Sequence, residues 1–321
     1  MRKKKTITAI MKPSILVIGS SNTDMVIKAD HLPAPGETIL GGEFFMNPGG
    51  KGANQAVAAA RLGGRVGFIG KTGNDIFGRQ SVQLFEEEGI NTSHIISDPK
   101  HPSGVALITV DAHAENCIVV ASGANATLNA GDLQKAGESI RQSSIILMQL
   151  ETPVAALEFV VSLIADTPTR LVLNPAPVCS LPDELLGKIA IITPNKKEAE
   201  MLTGIPITDD ASAELAARAL AGKGVGTVII TLGSKGAMLW HEETCTMIMA
   251  PPVKAMDTTA AGDVFNGALV VALSEGKDIR EAVVFACSAA AISVTRLGAQ
   301  SSAPFRNEVD AFIRQNALIQ E

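Results

Sequence analysis

The stretch DTTAAGDVFNG, residues 257–267, decides how the rest of the chain is read. Asp257 and Asp263 bracket a run with almost no bulk: Thr258, Thr259, Ala260, Ala261 and Gly262. Val264, Phe265, Ala268, Leu269, Val271, Ala272 and Leu273 then resume the apolar pattern of a helix. The free N–H groups of a first helical turn, together with the helix dipole, make an anion site. Small residues there let phosphate oxygens come close. Asp263 falls in that first turn. From the residues alone it has two readings: an acid that complements the positive helix end, or a base that takes the proton of an attacking hydroxyl while the amides hold a phosphate.

Outward from this stretch, strands and helices alternate. ILVIG (15–19) reads as a buried strand, GGKGANQAVAAARLG (49–63) as a helix opened by glycines, VGFIG (66–70) as a strand and 75–89 as a helix. Strands are expected at 144–148, 170–173, 189–192 and 227–231, and helices at 153–165, 196–203 and 211–222. GAMLWH and TCTMIMA form a hairpin, and helices at 262–274, 279–295 and 307–316 close the chain. This alternation implies an α/β fold with a mostly parallel sheet covered on both faces. Two regions break it. Residues 24–47 are short segments punctuated by Pro33, Pro35, Gly36, Gly41 and Gly42. SGVALITV (103–110) and ENCIVVAS (115–122) form a hairpin turning at Asp111 to Ala114. Both read as insertions that pair into one small β-sheet beside the body.

Composition narrows the class. Hydrophobic residues make up 46% of the 321 residues, whereas aromatics are 3%, with no Tyr and Trp240 as the one Trp. The core must therefore be aliphatic and rich in alanine. The net charge of −6 and the lack of a basic stripe beyond the first twelve residues argue against nucleic acid as a partner. Cys117, Cys179, Cys245 and Cys287 lie far apart, as reduced thiols in a cytoplasmic protein would. No apolar run reaches the roughly 18 residues of a membrane span. Residues 1–12 read as a disordered extension or as an upstream start ahead of Met11, and 315–321 as a C-terminal tail, around a single domain over 13–314.

Familiar motifs mostly fail. GKT at 70–72 lacks the P-loop glycine, because position 65 is Arg65. GKGVG (222–226) precedes a strand and so gives no dinucleotide fingerprint. Other stretches remain open. Asn22 and Asp24 in GSSNTD (19–24) would point the same way from an extended segment and chelate vicinal hydroxyls, or form an Asx turn. Lys51 and Asn54 lie one turn apart behind Gly49 and Gly50. Asn195 and Glu198 in TPNKKEAE have capping-box spacing. ITLGSKG (230–236) leads a strand into a Gly-Ser turn suited to a phosphate or a simple reversal.

Taken in this order, the pieces resemble the ribokinase-like (PfkB) family of sugar kinases. DTTAAGDVFNG resembles its C-terminal signature and GGKGANQAVAAARLG its N-terminal glycine motif, within a likeness spanning roughly 13–314. GSSNTD, PAPGET, MQLETP (148–153), LNPAP (173–177), TPNKKEAE and VTRLGAQSSAP (294–304) place it nearest the members that phosphorylate ribose. The resemblance implies a three-layer α/β/α body with a β-sheet lid, and ATP-dependent phosphorylation of D-ribose at its 5-hydroxyl. It makes Asp263 the base and Ala260, Ala261 and Gly262 the anion hole. Asn22, Asp24, Gly50, Lys51, Asn54 and Glu151 would hold the sugar. Asn195, Thr231, Gly233, Ser234, Gly236 and Gly262 would line the ATP site, with Glu198 linked to magnesium. A potassium ion would sit near Asp257, Thr259, Ser293, Arg296, Gly298 and Ser302, several through backbone oxygens. The resemblance also implies a homodimer built through the lid. Cys287 stands near the adenine, where the family often has histidine. Kinases of the family acting on deoxyribose, fructose, ketodeoxygluconate or adenosine share the same base, and a non-catalytic member would be expected to have lost Asp263 or Gly262.

Overall fold

The computed structural model describes residues 15–113 and 115–319. The proposed extension at 1–12 and the turn residue Ala114 lie outside the described residues. The strands are β1 (Ile15–Ile18), β2 (Asn22–Lys28), β3 (Glu43–Gly49), β4 (Val66–Gly73), β5 (Asn91–Asp98), β6 (Gly104–Val110), β7 (Asn116–Ala121), β8 (Ile145–Met148), β9 (Arg170–Leu173), β10 (Ile191–Ile192), β11 (Thr227–Thr231), β12 (Gly236–His241) and β13 (Thr244–Met249). The helices are α1 (Lys51–Arg61), α2 (Ile76–Glu87), α3 (Ala130–Gln134), α4 (Gly137–Gln142), α5 (Val154–Ile164), α6 (Asp183–Leu186), α7 (Lys196–Thr203), α8 (Asp210–Gly222), α9 (Ala261–Ser274), α10 (Ile279–Ser293) and α11 (Arg306–Ile319).

Two sheets organise them. The large one has the order β13-β12-β11-β10-β9-β8-β1-β4-β5; β11 through β5 run parallel, and β12 and β13 add an antiparallel edge. Side chains alternate across it. Ile15 and Val17 enter one apolar cluster with α1, α9 and α10, while Leu16 and Ile18 enter another with α5 and α8. Helices thus cover both faces, the three-layer body expected from the alternation. Each large side chain fully buried this way contributes about 1.5–3 kcal/mol. The aliphatic core has one close ring pair, Phe68 and Phe85, with centroids 4.6 Å apart.

The small sheet has the order β3-β2-β6-β7. It is made from the two punctuated regions, as expected. Its pairing register sorts its faces. Asn47, Asp24, Ala106 and Val120 sit side by side on one face, and Met46, Met25, Leu107 and Val119 on the other.

The structure corrects the sequence reading in several places. Strand β5 was not expected: its NTSHIISD sequence is polar, and it forms the sheet edge beside β4. The short helices α3, α4 and α6 were missed, having too few residues for a periodic signal. The strand expected at 189–192 shrinks to Ile191–Ile192. Helix α11 continues to Ile319, so 315–319 is helical rather than a tail.

Candidate active site

The polar residues singled out by sequence converge at the carboxyl ends of the parallel strands, where α/β sheets bind ligands. Asn22 follows β1, Glu151 follows β8, Asn195 follows β10, and Thr231 ends β11. Glycines bring the helix starts to the same rim. Gly50 has φ +90, and a Cβ there would lie 2.8 Å from the Asn22 amide nitrogen. Only glycine lets α1 begin this close to β2.

Asp263, 6% exposed, stands in the first turn of α9. Its Oδ2 accepts a hydrogen bond from Asn54 Nδ2 (2.9 Å) and its Oδ1 one from Gln55 Nε2 (2.9 Å). Burial pushes its pKa up, against the opposing pull of Lys51 and of these two donors. A raised carboxylate is a stronger base, as proton abstraction near neutral pH requires. Immediately before it, Gly262 is exposed, and a Cβ added there meets no atom within 4 Å. Ala260 adopts a left-handed conformation (φ 58). For a non-glycine residue this strain costs about 1–3 kcal/mol. The Ala261 amide leans on the Thr258 carbonyl (3.3 Å), and Val264 donates to Ala260 (2.9 Å). Among the described residues the amides of Gly262 and Asp263 have no acceptor, so α9 starts with open donors at the positive end of its dipole.

Charged and polar side chains cluster near Asp263. Asp24 is pushed up to about 6 by burial and by the nearby Glu151 and Asp263 carboxylates, with Lys51 opposing. Burial works against the charge on Lys51, yet Asp263, Glu151, Glu198 and Asp24 around it raise its pKa overall. Glu151 Oε2 accepts from Ser20 Oγ (2.5 Å) and from the Lys51 amide (2.9 Å). Asn22 Oδ1 accepts from Asn125 Nδ2 (2.8 Å). Among the described residues, the buried side-chain atoms without a partner are Asn54 Oδ1, Gln149 Oε1 and Thr152 Oγ1. The last two flank Glu151. Unsatisfied groups of this kind are uncommon in native interiors.

Gly262, the residue before Asp263, lines a cleft of about 420 Å³. Its lining includes Thr231, Gly233, Ser234, Gly236, Thr258, Ala261 and Gly262 together with the apolar Pro252, Val253, Phe265, Cys287, Ala290 and Ala291. Burial pushes the Cys287 thiol up to about 12, so it behaves as a small apolar group. Asn195 and Glu198 form the capping box that their spacing allowed: the Glu198 amide donates to Asn195 Oδ1 (2.9 Å) and the Asn195 amide to Glu198 Oε2 (2.8 Å). Glu198 is also within the electrostatic reach of Lys51 and Asp263.

Of the residues named for potassium, three meet. Asp257 accepts from the Thr259 amide (2.8 Å) and the Gly298 amide (2.8 Å). Burial raises its pKa, but these donors outweigh that and lower it, so it is ionised. Ser293, Arg296 and Ser302 spend their side chains elsewhere, on Ala290 O, Glu308 and Ala299 O. The two serine hydroxyls donate their hydrogens there and keep oxygen lone pairs that could face a cation, whereas Arg296 could offer only its backbone oxygen. Sequence reasoning missed Gln55, Gln149, Asn174, Thr193 and Asn266, which back Asp263, and Asn125, which braces Asn22. The sole signal for Gln55 was its place beside Asn54.

The chain is similar to known proteins along nearly its whole length. Residues 12–306 match the pfkB family carbohydrate kinase profile. A ribokinase from Haemophilus influenzae is 46% identical over 303 residues, covering 94% of this chain and 99% of its own length. The crystal structure of a Thermotoga maritima ribokinase superposes with a TM-score of 0.85 at 40% identity, over 94% of this chain and 99% of that one. The structure of Arabidopsis thaliana ribokinase complexed with ribose and ATP superposes with a TM-score of 0.90 at 31% identity, over 95% and 99% of the two chains. The strand-end site, the open helix start at Asp263 and a match that spans nearly the whole chain lead to one conclusion: the chain belongs to the pfkB family of carbohydrate kinases.

Proposed function

We propose that the chain transfers the γ-phosphoryl group of ATP to the 5-hydroxyl of D-ribose, giving D-ribose 5-phosphate and ADP. The observation that carries this reading is the place of Asp263. Among the described residues its amide and that of Gly262 find no acceptor, Gly262 lines the cleft of about 420 Å³, and Asp24, Lys51 and Glu151 are its charged neighbours. Asn22, Asp24, Gly50, Lys51, Asn54 and Glu151 take the sugar. Their mixture of ionised acceptors and amide donors matches vicinal hydroxyls. Thr231, Gly233, Ser234, Gly236 and Asn195 take the nucleotide. Asp263 removes the 5-hydroxyl proton as that oxygen attacks the γ-phosphorus. The bond from phosphorus to the bridging oxygen breaks, and ADP leaves with its electron pair. The amides around Gly262 receive the charge on the phosphoryl oxygens. General-base help of this kind is worth about 10²–10⁴-fold.

Two cations fit the residues present. Glu198 keeps Oε1 outside its capping pair, and both burial and Asp263 disfavour its charge. A divalent ion bound with ATP would relieve that and neutralise phosphate charge. For the monovalent ion, the ionised Asp257 and neighbouring backbone oxygens form a hard-oxygen set next to the α9 loop. Held there, Asp257 would fix the amides of Thr259 and Gly298, and with them the anion hole. Equal activity in potassium and in tetramethylammonium would reject this role.

The outer face of the small sheet supports a homodimer through the lid. Phe44, Met46, Leu107 and Val119 are between 50% and 62% exposed on it. A contiguous apolar face of this kind calls for a partner surface. Among the described residues no helix is long and apolar enough to cross a membrane, and the cytoplasm is the proposed compartment.

The test is ATP consumption with magnesium and potassium across D-ribose, 2-deoxyribose, fructose, ketodeoxygluconate and adenosine, with the phosphorylated position read by NMR. Ribose-selective turnover at the 5-position is the expected result. Preference for another acceptor would keep the family and overturn the sugar.

A further inference from the structure

Behind Asp263 runs a closed ring of buried polar side chains. Gln55 Nε2 has two N–H groups: one donates to Asp263 Oδ1 (2.9 Å), the other to Asn174 Oδ1 (3.0 Å). Asn174 Nδ2 donates to the Thr193 carbonyl (3.2 Å), and Thr193 Oγ1 donates to Asn266 Oδ1 (2.6 Å). Asn266 Nδ2 then donates to the carbonyl of Gly262 (2.8 Å), the residue just before Asp263. Gln149 Nε2 closes off Gln55 Oε1 (2.5 Å). Gln55 is 0% exposed, and Asn266 and Gln149 are each 1% exposed.

The ring has one workable amide orientation. Turning the Gln55 amide over would set its oxygen against both the Asp263 carboxylate and the Asn174 oxygen. The Gln55 side chain is therefore locked as a double donor. An apolar core would stabilise the same volume without demanding five mutually consistent partners. The ring begins at the carboxylate and ends at the carbonyl of the anion-site glycine.

We propose that Gln55 is a positioning residue for phosphoryl transfer. It fixes the rotation of the Asp263 carboxylate and, through Asn174, Thr193 and Asn266, ties that carboxylate to Gly262 at the amides that receive the phosphoryl group. The inference rests on the reading of Asp263 as the base. Its consequence is a carboxylate and an anion hole that move as one unit, already aligned when the substrates arrive. The Gln55 donor also favours the ionised carboxylate. The charged groups facing Asp263 are Lys51 from α1, Asp24 from β2, Glu151 beyond β8 and Glu198 from α7. Of these, Lys51 alone favours its ionised form, so loss of the Gln55 donor leaves Lys51 and Asn54 to hold the charge.

The test is kcat and KM for ribose across pH 5.5–9 in wild type, Gln55→Met, Gln55→Glu and Asp263→Asn, with thermal unfolding of each. Gln55→Met keeps the volume and removes the donor. Its kcat should fall about 10–10²-fold with KM for ribose nearly unchanged, and the acidic limb of kcat should move to higher pH. Gln55→Glu, needed if the Met variant does not fold, keeps the shape and ionises beside Asp263. It should gain a loss of activity as pH rises that wild type lacks. A folded Gln55→Met with wild-type kcat and pH profile, or a Gln55→Glu with no alkaline loss, overturns the positioning role. Asp263→Asn separates the two claims. If it is inactive while Gln55→Met is normal, the base assignment stands and this inference falls. If it is active, the base assignment itself is wrong, and the inference falls with it.

Discussion

Helices α1 and α9 begin at the same rim of the sheet and treat their first amides in opposite ways. At α1 the donors are spent within the protein. Lys51 donates to Glu151, Gly52 to Ser20 Oγ (3.3 Å) and Ala53 to the Ser20 carbonyl (2.9 Å). At α9 the donors of Gly262 and Asp263 are left open, behind a strained Ala260. Both helices follow small residues, so their sequences look alike as helix starts. The first closes on itself, and the side chains it carries, Lys51 and Asn54, are the ones proposed above to meet the sugar. The second offers backbone N–H groups, which suit a transferring phosphoryl group. Substitutions at α1 should therefore tell on sugar binding and stability, and those at α9 on the reaction.

The largest break in this contrast is expected at Gly262. The space around it is open, so Gly262→Val should fold with an unchanged melting temperature. Its side chain would occupy the phosphate approach, and kcat/KM for ATP should drop about 10²–10³-fold. A loss of stability instead would mean that the position is structural.

Next comes Asp24. Sugar hydroxyls donate best to its ionised form, so KM for ribose should rise as pH falls below about 6, and Asp24→Asn should flatten that rise. The same group sets an opposite trend in stability. Its folded pKa is raised, so its stabilising contribution is fully present below 3.8 and lost as pH rises through about 6. The melting temperature of Asp24→Asn relative to wild type should therefore increase from pH 4 to pH 7. A constant difference would show that Asp24 is not perturbed.

Glu151→Ala removes the charged acceptor at the start of α1 and should destabilise the protein by about 1–2 kcal/mol in denaturant unfolding, as well as raising KM for ribose. Wild-type stability would show that α1 does not depend on its closed start. Smallest is Ala260→Gly. Relief of the left-handed strain offsets the added freedom of the unfolded chain, so stability should stay within about 1 kcal/mol of wild type. A larger loss would contradict the strain.

The contrast between α1 and α9 also marks what the sequence made legible. Strands β1, β8, β9 and β11 stood out as short apolar runs and the long helices by their apolar period, and small-residue starts marked both helices. The sequence also left Asp263 balanced between dipole partner and base, because spacing does not say whether neighbouring amides find acceptors. Strand β5 was hidden because an edge strand needs no apolar run. The ring from Gln55 to Asn266 was hidden for a different reason. Its members, spread from position 55 to position 266, are joined by tertiary hydrogen bonds, which leave no periodic trace. Asn195 and Glu198 show the reverse case, where a local capping box was readable and forms as read.

The most direct test of the division between the two helix starts is single-turnover phosphorylation of D-ribose by Asp263→Asn, with ribose affinity and melting temperature measured on the same sample. The asparagine keeps the shape of the side chain and removes the base. Turnover should fall at least about 10²-fold while ribose binding and folding are retained. Turnover within about threefold of wild type would contradict the assignment, and would make Asp263 only an acid that complements the helix dipole.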